Sequence, residues 1–416
     1  MTRPLPPRSL RPAVLAIVAA SLVMSAAMGA RQSFGLVISP FSFDHGLPVT
    51  LVAFAIALHN LVWGLAQPFA GAAADRWGAA PVVAAGAILF AGGLAAAALA
   101  PSGPVLVLGL GVLVGIGISG TSFGVVLAAV GRHAPPERRS SALGLASAGG
   151  SLGQVGLVPL VQHASEGWGI GTALLLLAAC VLVVAPLGLL LDRRGEPGAE
   201  EAGRGAPTSL RAALAGAMRH RGYRLLTLGF FTCGFQLAFI ATHLPAYLLT
   251  CHMPAALGAT ALAAIGLFNM AGSWLCGWLG GRMRPQQVLG WLYLLRGIAI
   301  AAFFLAPKTE ATVLAFAAVM GLMWLGTVPL TNGLIARIFG IRHLGTLFGI
   351  VFLSHQVGSF LGAWLGGWVF DATGSYAAIW IATALAGLVA ALLHFPIDDR
   401  AAPEPSVLPA SGRAMV

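Results

Sequence analysis

Two arginines and three histidines sit where charge is expensive. Arg31 lies in GARQSFGLV, late in an apolar run ending at Pro40, and Arg296 lies in GWLYLLRGIAI. His59, His243 and His355 lie in three other apolar runs. A guanidinium offers a carboxylate two parallel hydrogen bonds. An imidazole titrates near neutral pH and can carry a proton. None of the 13 Asp and Glu falls in the interior of these runs. The pattern predicts a positive interior suited to a small organic anion. It argues against a cationic cargo, which would need a buried carboxylate.

The candidate substrate-binding set is Arg31, Gln236, Asn269, His355, Asn332 and Arg296. Gln236 stands in the second half of the chain where Arg31 stands in the first. Arg296 lies mid-run in a segment where a packing role is the alternative. The proton-coupling candidates are His355, His59 and His243, with His355 first by its depth. A lone buried histidine is otherwise a packing residue.

The elements that position these groups follow from composition. The 416 residues are 58% hydrophobic and 9% charged, with a mean hydropathy of +0.88. A soluble chain carries roughly 25% charged residues, so this composition predicts a polytopic membrane protein. The apolar runs are unbroken and long enough to cross as helices, which excludes a barrel of ~10-residue alternating strands. Twelve spans are expected, at 13–39, 50–72, 80–100, 104–131, 140–163, 169–191, 224–249, 256–280, 286–306, 311–335, 345–369 and 375–396. Arg8 and Arg11 before an apolar stretch resemble a signal peptide, but the run continues past Ala30, so it reads as an uncleaved first span.

The loops set an orientation. With alternating sides, Lys308 falls on one side, Arg31 and Arg296 fall inside spans, and the remaining twenty of 23 Lys and Arg fall on the other. The positive-inside rule makes that basic side cytoplasmic, with both termini there. It also accounts for the net charge of +10 without nucleic acid. The chain divides into a six-helix half at 1–191, a cytoplasmic linker at 192–223, a second six-helix half at 224–397 and a tail at 398–416. The linker contains RRGEPGAEEAGRGAPTS and reads as flexible. The halves repeat at an offset of about 205: Gly29 and Pro40 match Gly234 and Pro245, GAAADR at Gly71 matches GWLGGR at Gly277, and Gly120-Thr121 matches Gly326-Thr327. An even number of spans per half makes the repeats parallel, an arrangement known to enclose a site near the midplane.

Enzyme signatures are absent. GIGISG at Gly115–Gly120 matches a dinucleotide fingerprint, but it lies mid-span without the strand that motif needs. Glycines there serve close helix contact. The four cysteines have no paired spacing, so no zinc site or disulfide framework is expected. The sequence asks for no cofactor and no metal.

GAAADRWG, Gly71 to Gly78, resembles the cytoplasmic loop signature of the major facilitator superfamily between helices 2 and 3. The resemblance implies an all-α fold of twelve transmembrane helices in two parallel six-helix repeats. It also implies that Gly71, Asp75, Arg76 and, in the second copy, Arg282 gate the inward side. Gly281 replaces the acid in that second copy. ARQSFGLVISP and FGIVFLSHQVGSFLGAWLGGWVFDATGSY further resemble bacterial members of the monocarboxylate porter family. That family carries a cation in helix 1, which Arg31 matches. Its animal members carry an Asp and an Arg in helix 8, where this chain has Asn269 and Ser273.

The resulting expectation is a monomeric secondary transporter of a small organic anion, a monocarboxylate, in a bacterial inner membrane. It would work by alternating access with proton symport or anion exchange. A drug or metabolite exporter of the same fold is the alternative, and would need a buried acid. A non-transporting membrane receptor would need soluble domains that the sequence lacks.

Overall fold

A lipid-facing backbone must satisfy its own hydrogen bonds, so apolar runs of this length fold as helices. The computed structural model describes residues 10–133, 139–192, 210–340 and 344–400, and among them finds helices and turns without strands. Eleven segments are long and apolar enough to cross a membrane: Val14–Leu36, Val49–Ala74, Ala79–Leu99, Gly103–His133, Ala142–Leu191, Arg221–Thr250, Ala255–Arg282, Pro285–Leu305, Glu310–Phe339, Thr346–Thr373 and Ala377–His394. The fifth is two crossings. Gly169 has φ +82, outside helical space, and breaks the 50-residue segment into antiparallel halves. Twelve spans result, numbered first to twelfth in chain order.

Two spans are interrupted part-way through the membrane. The fourth span is helical to Thr121, extended at Ser122 (φ −117, ψ −167) and helical again from Phe123. The tenth is helical over Glu310–Leu322 and again over Thr327–Phe339, with a non-helical step between. The repeat offset of 205 to 206 carries Ser122 to 327–328, at the start of the helix that follows the tenth-span break. The first span also changes character. It is α-helical to Gln32 and then tightens to a 3₁₀ turn over Ser33–Leu36.

Spans 1 to 6 pack on one another, as do spans 7 to 12. Between the groups, the second span packs on the eleventh, the fifth on the eighth, and the end of the first on the seventh. These pairings interchange under the repeat symmetry. At the end remote from the basic loops the groups are sealed. The Thr50 backbone N–H and hydroxyl both donate to Asp371 Oδ2, at 2.7 and 2.6 Å. Phe54 meets Phe360 and Trp364 edge-on at 5.9 and 6.0 Å. Gly35 lies so close to the Ala241 carbonyl that a β-carbon would overlap it. Near mid-depth, Trp63 meets Phe352 at 5.3 Å and Asn269 Nδ2 donates to Ser151 Oγ at 3.1 Å. Toward the arginine-rich end, Gly71, Gly144, Gly277, Gly281 and Gly349 have nothing within 4 Å of a would-be β-carbon.

Three expectations need correction. GAAADR is not a loop: helix continues through Trp77, and Gly78, at φ +94, alone makes the turn. GWLGGR is likewise helical to Arg282. Gly71, expected among the gate residues, meets nothing in this conformation. The linker is not uniformly flexible either. Leu210–Arg219 is a helix, and the seventh span starts at Arg221 rather than 224. Leu214 and Ala217 recur at helical spacing and pack into the core. The residues RRGEPGAEEAGRGAPTS and the tail beyond 400 lie outside the described residues.

Acids close the basic end of each half. Asp192 Oδ1 accepts from the Ala80 N–H at the start of the third span, at 3.0 Å. In the second half Asp399 bridges Arg284 and Arg337 at 2.5 and 2.8 Å. The hydrogen bond from Arg284, and then that from Arg337, hold the Asp399 carboxyl well below the usual carboxylate range. A depressed carboxyl contributes stability above its unfolded pKa, about 4, and loses it as pH falls through the folded value. The clamp is therefore complete at neutral pH. Asp399→Asn should raise trypsin cleavage after Arg337 at pH 7.5. Equal cleavage in both proteins would show that the clamp holds nothing.

Candidate substrate site

The second span places His59, Asn60, Trp63 and Gln67 at helical spacing toward the first and fourth spans. Arg31 Nη2 donates to Asn60 Oδ1 at 2.8 Å. The guanidinium carbon lies 5.5 Å from the centre of the Trp63 ring, a cation–π distance. Trp63 is itself fixed. Its Nε1–H donates to Gln67 Oε1 at 2.7 Å and to Ser122 Oγ at 3.0 Å. The break in the fourth span thus supplies the hydroxyl that orients the ring beneath Arg31.

Among the described residues Arg31 makes no other hydrogen bond. Its Nε is buried without a partner, and among the described residues no carboxylate pairs with it. His59 sits beside it, 2% exposed, its ring nitrogens without a well-formed hydrogen bond beyond a poor contact with the Ile56 backbone. Phe34 meets the His59 ring edge-on at 5.3 Å. Across the seam the seventh span contributes Ala238, Ala241 and Thr242, and the cavity left among these groups is about 10 Å³. That is room for about one water. Admitting a carboxylate requires the first and seventh spans to part.

Only Arg31 and His59 of the expected residues meet here. Gln236 faces the twelfth span, donating from Nε2 to the Thr383 carbonyl at 3.0 Å. It aligns with Arg31 in sequence but turns into its own half. Asn332 donates to Val328 O in its own helix at 3.1 Å. Asn269 is a node. Besides the Ser151 bond, its Oδ1 accepts from Ser273 Oγ at 3.1 Å and from the Leu325 N–H at 3.0 Å. It ties the break of the tenth span to the fifth span.

Arg296 leaves the site altogether. Fully buried, it donates to the Met323 and Trp324 carbonyls, freed by the break in the tenth span, and to Cys233 Sγ at 3.5 Å. Tyr293 covers it at 5.4 Å. Its work is to satisfy carbonyls that lipid could not. Arg296→Met should cost about 2–4 kcal/mol by orphaning two acceptors. The measurement is a thermal-unfolding midpoint several degrees lower in detergent. An unchanged midpoint with weakened substrate affinity would return Arg296 to the binding set.

His243 is engaged, with Nε2 2.6 Å from Ala363 O and Nδ1 3.4 Å from the Tyr376 hydroxyl. His355 is engaged by Gln356 Oε1 at 3.1 Å and stacks on Phe352 at 5.9 Å. Depth alone favoured His355, whereas the ring beside Arg31 is His59. Of the gate residues, Arg76 stacks over Trp77 at 5.6 Å and Arg282 over Trp278 at 3.8 Å. Among the described residues neither bridges the halves. The side chain of Asp75 lies outside the described residues. Asn60, Trp63 and Thr242 were not singled out from sequence. The pair His59-Asn60 inside an apolar run was the available signal.

A family model described as Major Facilitator Superfamily matches residues 17–328 and 277–415. The chain belongs to the Major Facilitator Superfamily. Monocarboxylate transporter 11 of Mus musculus is 30% identical to this superfamily member over 371 residues, covering 86% of this chain and 81% of that protein. The MFS-type transporter YcxA of Bacillus subtilis (strain 168) is 26% identical, covering 89% and 91%. Among solved structures, a bacterial homolog of the human lysosomal transporter Spinster superposes with a TM-score of 0.76. It is 16% identical and covers 95% of this chain and 100% of its own. A D-xylose–proton symporter gives 0.70 at 15% identity, covering 92% and 97%. These two likenesses establish the fold. This superfamily member is a transporter, not an enzyme.

Proposed function

We propose that the chain carries a small organic anion, of the monocarboxylate class, across a bacterial inner membrane by alternating access. Arg31 is the anion site. One observation carries this reading: a guanidinium at the seam between the halves, oriented by Asn60 and Trp63, with its Nε unpaired and, among the described residues, no acid beside it. A carboxylate would supply the missing acceptor oxygens. The names of the monocarboxylate transporters among its relatives point the same way. With the arginine-rich end cytoplasmic, the described conformation is open inward and sealed outward. Rocking the halves about the seams between spans 2 and 11 and between spans 5 and 8 would part the first and seventh spans and open the Arg31 cavity.

The test is uptake of labelled acetate, lactate and pyruvate, with xylose and a quaternary ammonium as controls, in proteoliposomes of purified protein. At least one acid should be carried and neither control. Transport of a control with none of the acids would sink the reading.

A further inference from the structure

We propose that two residue pairs at matching places in the repeat, Trp63–Gln67 on the second span and Asn269–Ser273 on the eighth, tie the seams between the halves to the breaks in the fourth and tenth spans, so that each break bends in step with the rocking. An offset of 206, which also carries Gly71 to Gly277, carries Trp63 to Asn269 and Gln67 to Ser273. The residue types differ, yet each pair makes the same three connections. Its members stand one turn apart and bond each other. Trp63 Nε1 donates to Gln67 Oε1 at 2.7 Å, and Ser273 Oγ donates to Asn269 Oδ1 at 3.1 Å. Each pair also holds the break of its own half. Trp63 Nε1 donates to Ser122 Oγ at 3.0 Å, Ser122 Oγ to Gln67 Oε1 at 3.2 Å, and Gln67 Nε2 to the Ser119 carbonyl at 3.3 Å. Asn269 Oδ1 accepts from the Leu325 N–H at 3.0 Å. Finally, each pair touches the opposite half. The Trp63 ring meets Phe352 of the eleventh span at 5.3 Å, and Asn269 Nδ2 donates to Ser151 Oγ of the fifth at 3.1 Å.

A break in a membrane helix frees backbone groups that lipid cannot satisfy. The Leu325 N–H is one of them, and a side chain that withdraws from it leaves it unpaired at a cost. The seams are tight beside both pairs. A β-carbon at Gly64 would overlap Gln356 of the eleventh span, and one at Gly266 would overlap Gln154 of the fifth. Rocking therefore shifts Phe352 against Trp63 and Ser151 against Asn269, and the side chain drawn by the seam takes the break with it. Seam and break are joined by one unbroken run of contacts in each half. The halves differ in what the break serves. In the first, Trp63 also lies 5.5 Å from the Arg31 guanidinium, so the seam between spans 2 and 11 sets the poise of that group. This link alone rests on the reading of Arg31 as the anion site. In the second, the break gives the Met323 and Trp324 carbonyls to Arg296, and none of these lines the Arg31 cavity.

Amide hydrogen exchange on the purified full chain, read by mass spectrometry, tests the tie without a substrate. Ser151→Ala should speed exchange over residues 322–326 about fivefold and leave 119–124 at the wild-type rate. Phe352→Ala should do the reverse. Ser151→Thr keeps the hydroxyl and should keep wild-type exchange at 322–326. A variant that is merely destabilised speeds both segments together. That result, or no change at the break tied to the altered seam, refutes the proposal. The two seams are separate experiments, so a variant that fails to fold leaves the other to decide. In proteoliposomes exchanging labelled acetate, lactate or pyruvate, Phe352→Ala should raise the half-saturating concentration about two- to fivefold. Ser151→Ala should lower turnover with half-saturation unchanged. Wild-type half-saturation in Phe352→Ala refutes the link to Arg31. Wild-type vesicles that exchange none of the probes refute the Arg31 reading, while the tie between seam and break still stands or falls on the amide pattern.

Discussion

Arg31→Ala will lower anion transport by about 30- to 1,000-fold in kcat/KM while the protein still inserts and folds. The range corresponds to about 2–4 kcal/mol, the usual cost of removing one member of a buried, hydrogen-bonded charge pair. Three observations set the expectation. Arg31 is a cation at the seam, its Nε is buried unpaired, and among the described residues no acid neutralises it. Folding should survive because Arg31 gives the protein one hydrogen bond, to Asn60, and one ring contact, to Trp63. Arg31→Lys should retain part of the activity, since the charge remains but the planar fork is lost. Asn60→Ala should fall between the two, because it frees the guanidinium to turn without removing it. Wild-type uptake by Arg31→Ala at normal expression would move the anion site elsewhere.

Gly35→Val should stop transport by a different route. A β-carbon at Gly35 would overlap the Ala241 carbonyl of the opposite half. The clash exists only while the first and seventh spans are closed on each other. Overpacking of this kind costs about 1–3 kcal/mol. Here the protein can avoid that cost by occupying the opposite conformation, so populations shift by about 5- to 150-fold. Turnover should fall by up to the same factor, about 5- to 150-fold, with little change in thermal stability. A Gly349→Cys reporter, at the end now open, should label more slowly. Gly153→Val provides the contrast. Its β-carbon would strike the Ser25 carbonyl within one half, and no rocking motion relieves it. That variant should lose about 3 kcal/mol of stability. If Gly35→Val instead unfolds the protein and leaves Gly349→Cys labelling unchanged, the seam is not a moving surface.

The sequence by itself determined the spans, their number and the two-fold repeat. Each follows from hydropathy and spacing, because a helix in lipid needs nothing beyond its own residues to satisfy its backbone. It also determined the chemistry of the interior, since acids are missing from every run and Arg31 is too deep to be accidental. It could not determine which polar groups share a cavity. Arg31 and Gln236 occupy matching sequence positions, yet one faces the seam and the other the Thr383 carbonyl. His59 and His355 look alike as single histidines in apolar runs, but only His59 lies beside Arg31. Arg296 resembled a ligand for an anion until the break in the tenth span supplied carbonyls for it to bind. Helical periodicity fixes a residue's bearing about its own axis and nothing more. Which neighbour lies on that bearing depends on how the two halves pack and where the fourth and tenth helices break. Those are long-range choices, made by glycines meeting carbonyls on other spans, and only the tertiary structure decided them.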